Sequence, residues 1–306
     1  MAIPGTYDLK EITMKFAKKQ PNMADEITEN APIVERLRWK PSTHDFWNMA
    51  EHLTDIDGAT FVKANAPLPF MNVSSELEKI DMAIMGGVME VGEDTSKQFG
   101  SAENYFAGKI PSLLKKAGMD TEKEFYYNNW MAKAIDDGNV FKAGATSGLC
   151  YSMIVIRFDP DVNIGLFNPK GFKQGSLLNK DAINGGSRYH LRSKAGVLGF
   201  GMTLKGYFGW QNISKRTVAT IVNIQEGSLP TSLQIDDAIA KVRGTDRDTM
   251  ILCHPRCKNL ALAPFKENKL QMGITDKTYN RRIDEWDGIP VITSYNIAEG
   301  TEPVVS

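Results

Sequence analysis

The feature that most constrains the fold of this chain is a change near Gly144 in the pattern of apolar residues, from helical spacing to strand-like runs. Beyond that residue, runs rich in β-branched and aromatic residues recur between turn residues, a pattern typical of strands. The predicted strands are residues 150–159, 163–168, 196–210, 217–224, 248–254 and 288–297. Between the last two of them, the sequence predicts a polar linker.

Helical spacing predicts three helices. The first covers residues 101–117 and contains Pro111, and a capping box at 121–124 opens the second, which ends at Gly138. The apolar stripe of the second helix consists of Tyr127, Trp130, Met131 and Ala134. The third helix has a stripe of Ile235, Ala238, Ile239 and Val242, a cap at Thr231 or Ser232, and Gly244 at its close. This order of elements predicts an α+β fold.

The first part of the chain predicts extensions rather than a core. Residues 1–40 read as an arm with two short helical patterns separated by Pro21. Residues 46–56 then predict a strand, Asp57-Gly58 a two-residue turn, and residues 59–64 the returning strand of a protruding hairpin. An ordinary surface hairpin is the alternative. Residues 82–91 are almost wholly apolar and predict a buried strand.

Charge and cysteine content exclude several classes of protein. Lys+Arg total 36 and Asp+Glu 37, so the net charge of -1 disfavours a dedicated nucleic-acid or acidic-lipid binder. The first residues lack the apolar region of a secretion signal, and the apolar stretch 82–91 is half a membrane span. We therefore expect neither secretion nor membrane insertion. Three cysteines, an odd and sparse set, indicate a reducing cytoplasm rather than a disulfide framework.

No chemical motif is complete. Residues 253–257 supply two cysteines and a histidine, one ligand short of a structural zinc site. Residues 159–170 begin like a calcium loop but have Lys at the twelfth position, and residues 201–208 lack the Lys and Ser/Thr of a phosphate loop. Residues 144–148 place Thr where a nucleophile elbow needs Ser. The sequence therefore predicts no catalytic, cofactor-binding or metal-binding residue.

One basic segment remains, with Lys170, Lys173 and Lys180 around Phe167 and Phe172. Three lysines in such a segment usually form a solvated loop. Contact with acidic groups of a neighbouring subunit, or with DNA, is the alternative.

Four stretches resemble a known family. They are residues 27–39 (ITENAPIVERLRW), 152–175, which include a PKG segment, 207–224 (YFGWQNISKRTVATIVNI) and 286–297 (WDGIPVITSYNI). In this order they are similar to the major capsid proteins of tailed bacteriophages, in particular the short-tailed branch of the Hong Kong 97-like capsid fold. The chain departs from the family pattern at residues 214–216, Ser-Lys-Arg, where an aromatic DWR run is usual.

The resemblance implies an α+β capsid fold with five segments. These are an N-terminal arm (1–40), an E-loop hairpin (41–80), a peripheral domain with a spine helix (81–140), a strand-rich region shared between the peripheral and axial domains (141–225) and an axial domain (226–306). It further implies a structural subunit that self-assembles as hexamers and pentamers into an icosahedral shell around double-stranded DNA. The shell would form in the bacterial host cytoplasm and become part of the virion.

The resemblance also implies partners. A separate scaffolding protein, a portal protein and, as an option, a decoration protein would bind the shell, whereas packaged DNA would be touched only non-specifically. No cofactor, metal or membrane is implied. We expect inter-subunit contacts at Arg36, Arg38, Trp47, Asp57, Gly58, Phe61 and Lys63.

Two other functions stay open from the sequence. One is a cytoplasmic α+β enzyme that uses a reactive cysteine, either Cys150 or the pair Cys253 and Cys257. The other is a non-viral shell of the same fold that encloses protein cargo.

Overall fold

The computed structural model describes residues 31–64, 66–168, 178–194, 196–266, 270–276 and 281–305. Most of the predicted arm, together with Lys170 and Lys173, lies outside these residues. Among the described residues, no helix is both long and apolar enough to cross a membrane. The helices are a 3-10 turn (Val34–Arg36), α1 (Glu93–Gln98), α2 (Ala102–Lys123), a π-helical stretch (Glu124–Met131), α3 (Ala132–Asp136), a second 3-10 turn (Ile183–Gly186), α4 (Ser232–Lys241), α5 (Pro255–Ala261) and a third 3-10 turn (Ala263–Phe265).

The strands form three sheets. One has the order β1-β7-β10-β4, with β8 and β9 also paired to β10. A second has the order β13-β14-β15-β12-β6-β11-β5, and among the described residues β2 and β3 form a two-stranded sheet. Their bounds are β1 (Trp39–Pro41), β2 (Trp47–Asp57), β3 (Asn72–Asp81), β4 (Ala83–Gly92), β5 (Val140–Lys142), β6 (Tyr151–Arg157), β7 (Asn163–Phe167), β8 (Asn179–Ala182), β9 (Tyr189–His190), β10 (Leu198–Asn212), β11 (Val218–Ile224), β12 (Thr249–Cys253), β13 (Leu270–Asp276), β14 (Arg281–Trp286) and β15 (Ile289–Thr293). Helices and mixed sheets together confirm the predicted α+β class.

The seven-stranded sheet is covered on both faces, which explains why its strands are continuous apolar runs. On one face, Ile235 and Ala238 of α4 and Cys257 of α5 pack against β6, β11 and β12. On the other face, Tyr126 and Trp130 of the π-helical stretch pack against alternate residues of the same strands. A strand buried on both sides has no polar face, so it loses the alternation seen in half-exposed strands.

The long helical segment corrects one prediction. Helix α2 continues without a break through the π-helical stretch into α3, whereas the sequence predicted a second start at a capping box. Thr121 caps nothing, because its hydroxyl donates to the carbonyl of Ala117 at 2.8 Å within the helix. The real cap is Ser101, whose hydroxyl accepts from the amide of Asn104 at 3.1 Å. The capping-box residue types also occur inside helices, so the motif misled here.

Three further predictions were wrong in detail. The segment between β12 and β15 is no polar linker, because it contains α5 and the antiparallel pair β13–β14. Strand β4 exists, yet Ile84 and Val88 are exposed, so it is not a buried strand. Helix α4 closes at Arg243, whose φ of 53° is left-handed, rather than at Gly244.

A buried carboxylate joins both ends of the described chain to the long helix. The side chain of Glu122 is 1% exposed, and its Oε1 accepts from the amide of Ile33 at 2.7 Å. Its other oxygen accepts from the Ser294 hydroxyl and from the Asn296 amide, the latter at 2.6 Å. One turn along, the Tyr127 hydroxyl donates to buried Glu302 at 2.7 Å. We call the first set of contacts the Glu122 junction.

Candidate assembly surface

The β2–β3 hairpin is exposed along most of its length. Its ladder extends from the pair Trp47 and Asp81 to the pair Asp57 and Asn72, and residues 58–71 connect the strands. The predicted returning strand at residues 59–64 was therefore wrong. No residue of 58–64 or 66–71 lies in a strand. The strand that does return begins at Asn72.

Among the described residues, the hairpin is joined to the body at its root. The Asn48 amide donates to Gln211 Oε1 of β10 at 2.8 Å, and the amide of Met82 donates to the carbonyl of Phe46 at 2.9 Å. Beyond Ala50, every described residue of β2 is exposed. The outer two thirds of the ribbon therefore have no cover from the described part of the chain.

A β-bulge at Thr54 determines which side chains of the hairpin share a face. Leu53 pairs with Ser75, but Asp55 pairs with Ser74, so two residues of β2 oppose one of β3. Because side chains alternate along a strand, the extra residue puts Ile56 on the same face as Leu53 and moves Asp55 to the other. One face of the hairpin carries Leu53, Ile56, Val73 and Leu77, together with Glu51, which pairs with Leu77; we call it the apolar face. The acidic face carries Asp55, Asp57, Glu76 and Glu78, together with His52, which pairs with Glu76.

The apolar face is the most exposed hydrophobic surface of the ribbon. The exposed fractions of its four side chains range from 50% for Leu53 to 70% for Leu77. At the tip, Phe61 and Phe70 are almost completely exposed. A group of exposed apolar side chains on one face is typical of an interaction site.

The predicted contact residues fall into three places. Asp57, Gly58, Phe61 and Lys63 are exposed at the outer end of the hairpin. Trp47 lies at the root, half-buried, with its ring stacked on His44 at a centroid distance of 3.5 Å.

The two arginines lie apart from the hairpin. Arg38 is exposed and donates to the carbonyl of Arg247 at 3.2 Å, whereas Arg36 is only 9% exposed, which disfavours it as a contact residue. The sequence did not predict Leu53, Ile56, Val73 and Leu77 as contact residues. The alternation of apolar and polar residues in 72–81 was the signal that could have revealed Val73 and Leu77.

The three cysteines were the candidate nucleophiles of the enzyme alternative. All three thiols are buried. Desolvation raises the pKa of the Cys253 thiol to about 12 and that of Cys257 well above its ordinary value, and burial also raises the pKa of Cys150. The thiolate is the nucleophilic form, so these environments oppose cysteine catalysis.

The remaining motif residues have structural roles. The Nδ1 atom of His254 accepts from the amide of Arg256 at 3.2 Å and so caps α5. Within the described ranges, no three His, Cys, Asp or Glu side chains are close enough together to hold a metal ion. Lys180 lies in β8 and is buried, so the prediction of a solvated lysine loop was wrong at that residue.

Comparisons with solved structures identify the fold. No protein-family model matches the sequence, and curated proteins give no match. A chain in the structure of bacteriophage Epsilon15 superposes with a TM-score of 0.56 at 13% identity, covering 88% of each chain. The bacteriophage JBD30 capsid gives a TM-score of 0.53 at 10% identity, covering 86% of this chain and 89% of that one. The predicted Hong Kong 97-like capsid fold is confirmed.

Proposed function

We propose that this chain is the structural subunit of a phage head and self-assembles, as hexamers and pentamers, into an icosahedral shell around double-stranded DNA. The observation that carries the proposal is the uncovered apolar face of the β2–β3 hairpin in a chain with a capsid fold. An isolated two-stranded ribbon has only marginal stability in water, so it needs another surface to pack against. In a shell of identical subunits, a second copy provides that surface.

The energy of this contact suits a repeating assembly. Complete burial of one Val, Leu or Ile side chain stabilises by about 1.5–3 kcal/mol, so covering four side chains that are 50–70% exposed yields roughly 4–7 kcal/mol. Association itself costs at least about 4 kcal/mol in lost freedom of motion. A single hairpin contact is therefore weak, and stability comes from several contacts for each subunit in a closed shell.

The segment boundaries and partners belong to the same proposal. The boundaries are an arm (1–40), a hairpin (41–80), a peripheral domain (81–140), a shared strand-rich region (141–225) and an axial domain (226–306). A separate scaffolding protein, a portal protein and an optional decoration protein would bind the shell during assembly in the bacterial cytoplasm. The net charge of -1 supports only weak, non-specific contact with packaged DNA.

The rival functions predict different properties. A cysteine enzyme needs an accessible thiol of low pKa, and all three thiols here are buried. A non-viral shell would enclose protein, so cargo that co-purifies with closed shells would favour it over a phage head.

The test is assembly of the purified protein, alone and co-expressed with the product of the neighbouring upstream gene, followed by sedimentation and negative-stain electron microscopy. We expect closed shells, or hexamers and pentamers that convert to them. Leu77→Asp should abolish them by charging the apolar face, whereas the matched control Leu77→Met should assemble normally. A compact monomer in every preparation would refute the proposal.

A further inference from the structure

A histidine is buried at the start of helix α5. The side chain of His254 is 2% exposed, and its Nδ1 atom accepts from the amide of Arg256 at 3.2 Å, which caps the helix. A backbone amide can only donate, so this contact requires that Nδ1 carries no proton. The other three histidines of the chain, His44, His52 and His190, are exposed. His254 is therefore the histidine whose neutral form is part of the packing.

Two tyrosines from different parts of the chain enclose the imidazole. The ring of Tyr151 in β6 lies nearly parallel to it, with an interplanar angle of 27° and a centroid distance of 6.1 Å. The ring of Tyr295 meets it edge-on at 5.7 Å. Tyr295 belongs to residues 294–299, the segment after β15, which we call the strap. The imidazole of His254 thus joins β6, the start of α5 and the strap.

Two charged groups also face the imidazole, one from α5 and one from the strap. Arg256 and Glu299 form an ion pair at 2.6 Å, and both side chains are exposed. Burial lowers the pKa of His254 below its ordinary value of 6.5; Glu299 opposes this effect, and Arg256 adds to it. Solvent screens two charges of such exposure, so burial decides the direction of the shift.

The strap has a second anchor, with the opposite chemistry. Ser294 and Asn296 donate to the buried carboxylate of Glu122 in the long helix. Burial raises the pKa of that carboxyl group, so protonation in acid removes a buried charge there instead of creating one. The amide of Ala298 also donates to the Tyr127 hydroxyl at 2.8 Å, which joins the strap to the helical segment a second time.

We propose that His254 is a pH-sensitive latch, which holds the strap to α5 in its neutral form and releases it when it is protonated. Protonation turns Nδ1 into a donor that faces the donating amide of Arg256, so the cap is lost. It also places a charge in a buried position, so the ring moves out into water. Glu122 meanwhile keeps the strap on the long helix. The inference does not rest on the proposed shell function and adds to it a response of the subunit to mild acid.

The direction of the pH effect follows from the lowered pKa of His254. A group whose pKa is lowered by folding contributes stability that is fully present above its unfolded pKa, here 6.5, and is lost as the pH falls through its folded pKa. The loss of an N-cap corresponds to roughly a 2- to 30-fold increase in local opening. We expect a change of this size where the strap meets α5.

Amide hydrogen exchange of the full-length protein at pH 8 and at about pH 5, corrected for the intrinsic rate at each pH, tests the latch. Two amides report on the released contact: that of Arg256, and that of Ser294, which donates to the carbonyl of Cys253 at 3.2 Å. Both should lose protection at the lower pH. The amide of Ile33, which belongs to the Glu122 junction, should keep its protection. A parallel loss at Ile33 would mean general unfolding and would overturn the latch.

Two variants separate His254 from other acid-sensitive groups. Asn is a favoured N-cap and does not titrate, so His254→Asn should give the same protection at both pH values. The matched control His190→Asn removes an exposed imidazole and should respond to acid as the unmodified protein does. If His254→Asn loses protection in acid to the same extent as the unmodified protein, His254 is not the trigger and the latch is wrong.

A second measurement needs no variant, so it decides the question even if His254→Asn is unprotected at both pH values. Exchange of the imidazole C2 hydrogen, followed by mass spectrometry of the peptide that contains His254, gives the titration midpoint of that residue. The midpoint should lie below 6.5, and a midpoint at or above 6.5 would overturn the latch. Neither measurement uses shell yield, so a negative result here leaves the proposed shell function untouched.

Discussion

Replacing Glu122 with Ala should destabilise the subunit strongly, because the junction holds four donors on one side chain. The amides of Ile33 and Val34, the Ser294 hydroxyl and the Asn296 amide would all lose their acceptor. Each buried donor left unpaired costs about 1–3 kcal/mol. Part of this cost is offset, because the variant no longer buries a carboxylate and water can bind the freed donors. We therefore expect the free energy of unfolding to fall by about 2–4 kcal/mol.

The pH dependence gives the sharper test. Burial raises the pKa of Glu122 above its ordinary value of 4.5, and the four hydrogen bonds only partly oppose that rise. A group whose pKa is raised by folding contributes stability that is fully present below pH 4.5 and is lost as the pH rises through its folded pKa. The control variant Glu122→Gln cannot ionise. As the pH rises above 4.5, the free energy of unfolding of the variant should therefore increase relative to that of the unmodified protein.

The assay is urea unfolding followed by tryptophan fluorescence at a series of pH values. Glu302 also has a raised pKa, but it is present in both proteins, so its contribution cancels in the difference. A difference that instead moves in favour of the unmodified protein with rising pH would refute the reasoning. It would mean that the charged carboxylate is stabilised by its surroundings more than burial penalises it.

Two further predictions concern packing and thiol chemistry. A methyl group at Gly165 would lie 2.6 Å from the ring of Trp39, so Gly165→Ala should lower the free energy of unfolding by about 1–3 kcal/mol in thermal melts, whereas Gly87→Ala, which meets nothing within 4 Å, should not. The three buried thiols should not react with a chromogenic disulfide reagent at pH 8 until the protein is unfolded, when all three should react; one fast native thiol would revive the enzyme alternative.

The sequence predicted the central strands well because their signal is local. Strands β6, β7, β10 and β11 coincide with β-branched and aromatic runs, since the sheet buries them on one or both faces. The short strands β1, β5, β8 and β9 were missed because two to four residues carry too little pattern to distinguish a strand from a loop.

The site was predicted only in outline, for a different reason. The protruding hairpin was anticipated, but its register depends on the bulge at Thr54, which no local rule reveals. Without the bulge, Asp55 would share a face with Leu53, and the separation into an apolar and an acidic face would not exist. The Glu122 junction was invisible because its partners are remote in sequence.

That remoteness has a consequence for the timing of synthesis. The junction joins Glu122 to Ile33, 89 positions before it, and to Ser294, 172 positions after it, so it cannot form until the segment that contains Ser294 has been synthesised. Contacts of such long sequence separation form late, because loop closure must precede them. Until then the carboxylate of Glu122 has only the amides of Ile33 and Val34 as donors, so the body of a shorter chain is incomplete.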